Sequence, residues 1–169
     1  TARRIQQRLR KIFGYAKALK WYDNDNPAIW DDNLEHLLQS PSAIRRVTNF
    51  AALEWKLLPH FFADLSKIET TTSSALQFLI LTASRTSMVL GCLRKEIHID
   101  KQLWCIPGKR MKARYEHTVP LSNEATRLIE TQMRKHNRQL IFENPHVEGP
   151  LSNNAMRSLL IKRFPEHRI

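Results

Sequence analysis

The chain has 169 residues, of which 42% are hydrophobic, so it can bury a core in one domain, or in one domain and part of a second. Lysine and arginine (27) outnumber aspartate and glutamate (16), and the net charge of +11 favours a polyanionic partner such as DNA or RNA. Four glycines are too few for a turn-rich all-β protein, and no apolar run is long enough to span a bilayer. Two alternatives fit the charge less well: a basic protein without a nucleic-acid partner, and a membrane-surface helix, which the even spread of charge disfavours.

The first predicted element is a helix over residues 2–20, where apolar side chains recur at helical spacing between arginines, lysines and glutamines. It should end before residues 23–27, a run of Asp and Asn that closes with a helix-breaking proline. One short helix is predicted at 33–38. Residues 40–42 read Ser-Pro-Ser, a composition typical of a linker between two units.

Three helices in succession are predicted from residue 55 onward. The first covers 56–68, with its proline in the first turn. The second covers 73–83, with Thr72 as its N-cap, and the third covers 87–94. A short turn at 84–85 separates the second helix from the third.

The only predicted sheet follows these helices. Its first two strands, 97–100 and 103–106, are short and rich in β-forming residues, with a turn between them. A third strand over 117–121 follows a basic loop at 108–114.

Two capped helices are predicted last. Ser122 should cap a helix over 123–136, and Ser152 should cap a helix over 153–163. The predicted fold class is mainly α with a small antiparallel β-sheet, that is, α+β.

The two cysteines do not indicate a metal site. Cys92 and Cys105 are not in C-x-x-C spacing, and neither has a histidine beside it at ligand spacing. The sequence therefore predicts reduced, partly buried thiols.

Two basic residues could serve phosphate chemistry. Arg85 lies between a buried helix and the start of the next, where its guanidinium could bind two non-bridging phosphate oxygens. Lys112 lies in the basic loop, from which an ammonium could donate a proton to a leaving oxygen. Taken alone, each is more typical of a solvated surface cation than of a phosphate site.

The stretch from Leu79 to Ser122 resembles the phage-integrase branch of the tyrosine recombinases. Upstream, RIQQRLRKIFGYAKAL resembles the last helix of that family's core-binding domain, so the likeness runs from about residue 2 to about 163. The segments of the main stretch that carry it are LTASRTSMVLG (81–91), EIHID (96–100), LWCIP (103–107) and RMKARYEHTVPLS (110–122).

The resemblance implies DNA breaking and rejoining through a 3′-phosphotyrosine, with no metal, nucleotide or other cofactor. It implies a partial recombinase catalytic domain over 40–169, after the end of a core-binding domain and a linker over 1–39. Arg85 would be the first catalytic arginine and Lys112 the general acid, while His117 is expected to be structural. The implied partner is double-stranded DNA in a bacterial cytoplasm, from a prophage gene. The expected DNA-binding residues are Arg85, Lys109, Arg110, Lys112 and Arg114.

The sequence also departs from the family pattern. None of its seven histidines begins the H-x-x-R that supplies the second arginine, and none of its three tyrosines occupies the nucleophile's place. Met88 stands where the family usually has an acidic residue, and Arg94 stands near the place of a tryptophan. We therefore expect a truncated chain that is inactive alone and that could self-associate through surface exposed by truncation.

Two other interpretations remain open. The chain could be a non-catalytic DNA-binding or interaction module derived from this fold, which Met88 favours. It could also be a basic RNA-binding protein in which the motifs are coincidental, and Arg85 and Lys112 would then not share a site.

Overall fold

A computed structural model describes residues 2–40 and 52–165. The chain divides into two compact units, residues 1–50 and 51–169, which are described separately below. Most of the predicted linker at 40–42 lies outside the described residues. Within the described residues, no helix is both long and apolar enough to cross a bilayer.

The first unit is built on helix α1, Ala2–Ala18, as the helical spacing of its apolar residues predicted. The segment that follows folds back onto the helix through partly buried hydrogen bonds. Asn26 donates to the carbonyl of Arg10 at 2.8 Å and accepts from the amide of Ala28 at 3.0 Å. Gln6 of the helix donates to the carbonyl of Ala28 at 2.6 Å, so both sides of this turn are fixed to α1.

The short helix predicted at 33–38 is a single α-helical turn, α2, at Glu35–Leu37. A wider turn, Trp30–Leu34, precedes it, and Asp31 and Asp32 interrupt that turn with non-helical backbone angles.

The second unit begins with three helices: α3 at Leu58–Ser66, α4 at Thr71–Thr82 and α5 at Thr86–Leu90. Two details of the prediction were wrong. The N-cap of α4 is Thr70, whose hydroxyl accepts from the amide of Ser73 at 3.1 Å, and not Thr72. Helix α5 ends at Leu90 and not at 94, and a 3-10 turn at Arg94–Glu96 leads into the sheet.

Three short antiparallel strands follow, as predicted, and they lie side by side in the order β1-β2-β3. They are β1 at Ile97–His98, β2 at Leu103–Ile106 and β3 at His117–Pro120. The register pairs Trp104 with Ile97 on one side and with Val119 on the other. All three of these side chains are buried, so one face of the sheet covers the core.

Two helices follow the sheet, α6 at Asn123–Lys135 and α7 at Ala155–Arg163. The cap predicted for α6 is confirmed, because Ser122 accepts a hydrogen bond from the amide of Ala125 at 3.2 Å. The cap predicted for α7 was wrong: the helix begins at Ala155 after Asn154, which makes no side-chain capping bond.

Ser122 caps its helix and Ser152 does not, so substitutions at these two serines form a matched pair. Ser122→Ala should lower the free energy of unfolding by about 1 kcal/mol, because it leaves an amide of the first turn of α6 without its acceptor. Ser152→Ala, at an exposed residue whose hydroxyl caps nothing, should change it by less than about 0.5 kcal/mol. Urea unfolding followed by circular dichroism measures both, and equal effects would contradict the assigned caps.

The core of the second unit joins the helices to the sheet through three buried aromatic rings. The ring of Phe78, on α4, lies 5.1 Å from that of Trp104, on β2, and 5.6 Å from that of Phe142. None of the three side chains is exposed to solvent. Helix α4 leads into the turn before Arg85, and strand β2 leads into the basic loop, so both segments begin next to this core.

Candidate functional site

Arg85 is the N-cap residue of α5 and is exposed. The chain reaches it through a sharp turn, because Ala83 ends α4 in the left-handed conformation, with φ of +48°. The backbone carbonyl of Arg85 accepts from Met88 at 2.9 Å and from Val89 at 3.2 Å, which anchors its main chain. Within the described part of the chain its guanidinium has no hydrogen bond or ion pair, so it can bind an external anion.

The loop between β2 and β3, residues 107–116, holds Lys112 in an ordered turn. The amide of Met111 donates to Gly108 at 2.9 Å, and that of Arg114 donates to Met111 at 3.0 Å. Arg114 itself has a positive φ of +60°. A Cβ atom at Gly108 would collide with the carbonyl group of Arg114, so the loop closes tightly over a glycine.

Three cations of this loop, Lys109, Lys112 and Arg114, are exposed and have no acidic partner among the described residues. The arginines of helix α6 differ, because Arg127 pairs with Glu124 at 2.7 Å and Arg134 pairs with Glu130 at 3.6 Å. The loop therefore presents three unpaired cations, whereas both arginines of this helix are paired with glutamates.

Arg110 points inward and links the loop to α5. One terminal nitrogen of its guanidinium donates to the Glu96 carboxylate, and the other donates to the carbonyl of Met88 at 2.5 Å. A Cβ atom at Gly91 would lie 2.9 Å from that second nitrogen, so the guanidinium packs closely against this glycine. Arg110 thus brings the loop that carries Lys112 into contact with the helix that begins at Arg85.

Arg110 differs in this from the other residues that are expected to bind DNA. Its side chain is 18% exposed, and both terminal nitrogens have protein partners.

Glu96 is a residue of this network that the sequence analysis missed. Its Oε2 accepts from the amide of Leu93 at 3.3 Å, from the indole of Trp104 at 3.2 Å and from Arg110. The carboxylate is 3% exposed, and an ion pair is what makes its burial tolerable. The available sequence signal was an acidic residue beside the first strand in a strongly basic chain.

Arg94 and Met88, the two residues that differ in type from the family pattern, both have contacts in the structure. Arg94 donates to the carbonyls of Met133, His136 and Arg138, so it satisfies acceptors at the C-terminal end of α6. Met88 is buried in the core, and its backbone carbonyl, not its side chain, belongs to the Arg110 network.

The remaining candidates lie outside this network. His117 is exposed at the start of β3, opposite Ile106 in the register. Tyr115 is 80% exposed on the loop, whereas Tyr15 and Tyr22 belong to the first unit.

Cys92 and Cys105 are free thiols, as predicted. Burial raises the pKa of the Cys92 thiol well above its usual value, and the nearby Glu96 charge adds to this, so the thiol is a poor nucleophile. No cluster of three potential metal ligands occurs in the part of the chain that the structure covers.

Comparisons with known proteins agree with the fold and with the motifs. Residues 42–163 match the Phage integrase family. The chain is 28% identical over 161 residues to prophage integrase IntZ of Escherichia coli K12, and 30% identical over 175 residues to the integrase of enterobacteria phage P4. Both alignments cover 94% of this chain and 38% of the relative, so the chain spans well under half the length of these relatives.

A solved structure of the Tn1549 transposon integrase, in complex with circular intermediate DNA, has the same fold. The TM-score is 0.70 at 13% identity, over 95% of this chain and 57% of that one. The family match covers more than half of the chain, and the predicted sheet and helices are present. The chain therefore belongs to the phage integrase family.

Proposed function

We propose that the second unit forms part of the phosphate-binding site of a site-specific DNA recombinase. The observation that carries this proposal is the contact of Arg110 with α5, which joins the Lys112 loop to the Arg85 helix while both cations stay exposed and unpaired. The relatives named as integrases and the neighbouring structure with bound DNA support double-stranded DNA as the partner.

The proposed roles follow from the chemistry of the two side chains. The Arg85 guanidinium binds two non-bridging oxygens of a DNA phosphate and stabilises the charge that develops on them. A tyrosine hydroxyl attacks the phosphorus, and the P–O bond to the 5′-oxygen breaks as the bond to tyrosine forms. The Lys112 ammonium donates its proton to the departing 5′-oxygen. Lys109 and Arg114 contact neighbouring phosphates.

This chain alone should bind DNA without cleaving it. We infer this because no residue of its sequence matches the second arginine or the nucleophilic tyrosine of the family. We also propose that residues 1–39 belong to a core-binding domain and residues 40–169 to a catalytic domain. We further propose that the protein acts in a bacterial cytoplasm and that it self-associates through uncovered apolar surface.

A titration of labelled duplex DNA, followed by fluorescence anisotropy, tests the DNA contacts. Lys112→Ala and Arg85→Ala should each raise Kd about 5–10-fold at 0.1 M salt and reduce the slope of log Kd against log salt by about 1, because each removes one phosphate contact. The matched control is Arg127→Ala on α6, whose guanidinium is paired with Glu124; Kd should change less than about 2-fold. Equal effects of all three substitutions would overturn the assigned site.

A non-catalytic module derived from the same fold is the second candidate, because the position three residues after Arg85 is the buried, apolar Met88. Incubation with nicked duplex DNA followed by denaturing electrophoresis addresses catalysis directly. We expect no covalent protein–DNA adduct, and an adduct would show that the chain contains a nucleophile that we have not identified.

A further inference from the structure

We propose that Arg110 is a positioning residue, oriented by Glu96, which sets the Lys112 loop against the helix that begins at Arg85. The inference rests on the proposed function, since it concerns how the two phosphate-binding cations are held together. Arg110 touches no phosphate itself; it acts through the loop on which Lys112 is carried.

Arg110 makes the side-chain hydrogen bonds between the loop and the rest of the described second unit. The backbone bonds of residues 107–116 close the loop on itself, from Arg110 to Pro107, Met111 to Gly108 and Arg114 to Met111. Among the described residues, the side-chain hydrogen bonds that leave this loop are both made by Arg110. Met111 also packs against the core. An apolar contact constrains the orientation of the loop less than two hydrogen bonds from one guanidinium do.

Glu96 restricts the orientation of the Arg110 side chain. Three donors converge on one oxygen of this buried carboxylate, one each from Leu93, Trp104 and Arg110. Trp104 is itself fully buried in the central strand of the sheet. The carboxylate is therefore fixed by the strand that leads into the loop, and it holds the guanidinium toward α5.

On the side away from Glu96, the Arg110 guanidinium contacts helix α5. Arg110 bonds to the carbonyl of Met88, three residues after Arg85, and lies against Gly91 at the end of the same helix. Three residues of helix correspond to a rise of only about 5 Å. Arg110 thus ties the loop to α5, while the main chain of Arg85 is held separately by the amides of Met88 and Val89.

A double-substitution cycle separates positioning from direct contact. Arg110→Met should raise Kd for duplex DNA about 5-fold in the parent chain, but only about 2-fold when Lys112→Ala is already present, with the remainder coming from Lys109 and Arg114 on the same loop. A direct phosphate contact by Arg110 would instead give the same factor in both backgrounds, and that result would overturn the inference. All titrations are made at a temperature where circular dichroism shows each variant fully folded.

Arg94→Met is the control for a purely structural loss. Arg94 also has its guanidinium bonded to backbone carbonyls, but at the end of α6 and not at the loop. It should lower Tm while leaving Kd within about 2-fold of the parent chain. If Arg110→Met is not folded at the assay temperature, the paired replacement Glu96→Leu with Arg110→Met, which leaves neither charge buried alone, is used in the same cycle.

The outcomes distinguish this inference from the proposed function. If Lys112→Ala weakens binding while Arg110→Met does not, only the positioning role is wrong. If the parent chain does not bind DNA, or if Lys112→Ala has no effect, the proposed function fails and the positioning role fails with it. Non-additive effects of Arg110 and Lys112, together with an unchanged Kd for Arg94→Met, support both.

Discussion

Replacing Glu96 by leucine should lower the free energy of unfolding of the second unit by about 3–5 kcal/mol, because Arg110 then keeps a mostly buried charge without its partner. The substitution also leaves the indole N–H of Trp104 without its acceptor. A domain of this size is stable by about 5–15 kcal/mol, so the loss is a large part of the total. Urea unfolding monitored by tryptophan fluorescence and circular dichroism measures it.

The double substitution Glu96→Leu with Arg110→Met should recover most of that loss, since a buried ion pair replaced by apolar groups is often close to neutral. The control is Glu124→Leu, which breaks the exposed pair with Arg127 and should cost less than about 1 kcal/mol. If the double variant is no more stable than Glu96→Leu alone, the unpaired charge of Arg110 is not the cause of the loss.

The parts of the fold that the sequence predicted well are those whose signals are local. The sequence of helix α6 has a capping serine and apolar residues at helical spacing, and the structure shows both the cap and the helix. Strand β2 alternates in burial, with Trp104 and Ile106 fully buried, as expected for a sheet with one face on the core.

The start of α4 could not be predicted because several neighbouring residues are equally good caps. Thr70, Thr71, Thr72, Ser73 and Ser74 all carry a hydroxyl. Contacts from distant parts of the chain decide between them. Ser73 donates to the carbonyl of Leu65 at 2.7 Å, and Ser74 accepts from Gln132 of α6 at 2.7 Å, so both hydroxyls are used inside the core.

The exposure of Arg85 and Lys112 could be predicted from the sequence, but the inward orientation of Arg110 could not. Arg85 and Lys112 stand in motifs that the sequence displays, and the structure exposes both. Arg110 has the same charge as its neighbours, and nothing local shows that it points inward. Its partner Glu96 lies 14 residues away, and a pairing over that distance becomes visible only when the sheet places both side chains together.

Phe78→Ala should lower the free energy of unfolding by about 3–5 kcal/mol, because it removes a fully buried ring that packs against Trp104 and Phe142. The rings of Trp104 and Phe142 lose their contacts with Phe78, and the cavity left behind can collapse only in part. Tyr115→Ala, which removes an aromatic ring that is 80% exposed, should change stability by less than about 0.5 kcal/mol. Chemical unfolding under the same conditions compares the two.

Phe78→Ala also separates the stability of the core from the geometry of the site. Phe78 packs in the aromatic cluster and takes no part in the hydrogen bonds of Arg110. At a temperature where the variant is fully folded, its Kd for duplex DNA should therefore stay within about 2-fold of the parent chain. A large rise in Kd for folded Phe78→Ala would mean that the site depends on general packing, and the specific role of Arg110 would then lose its support.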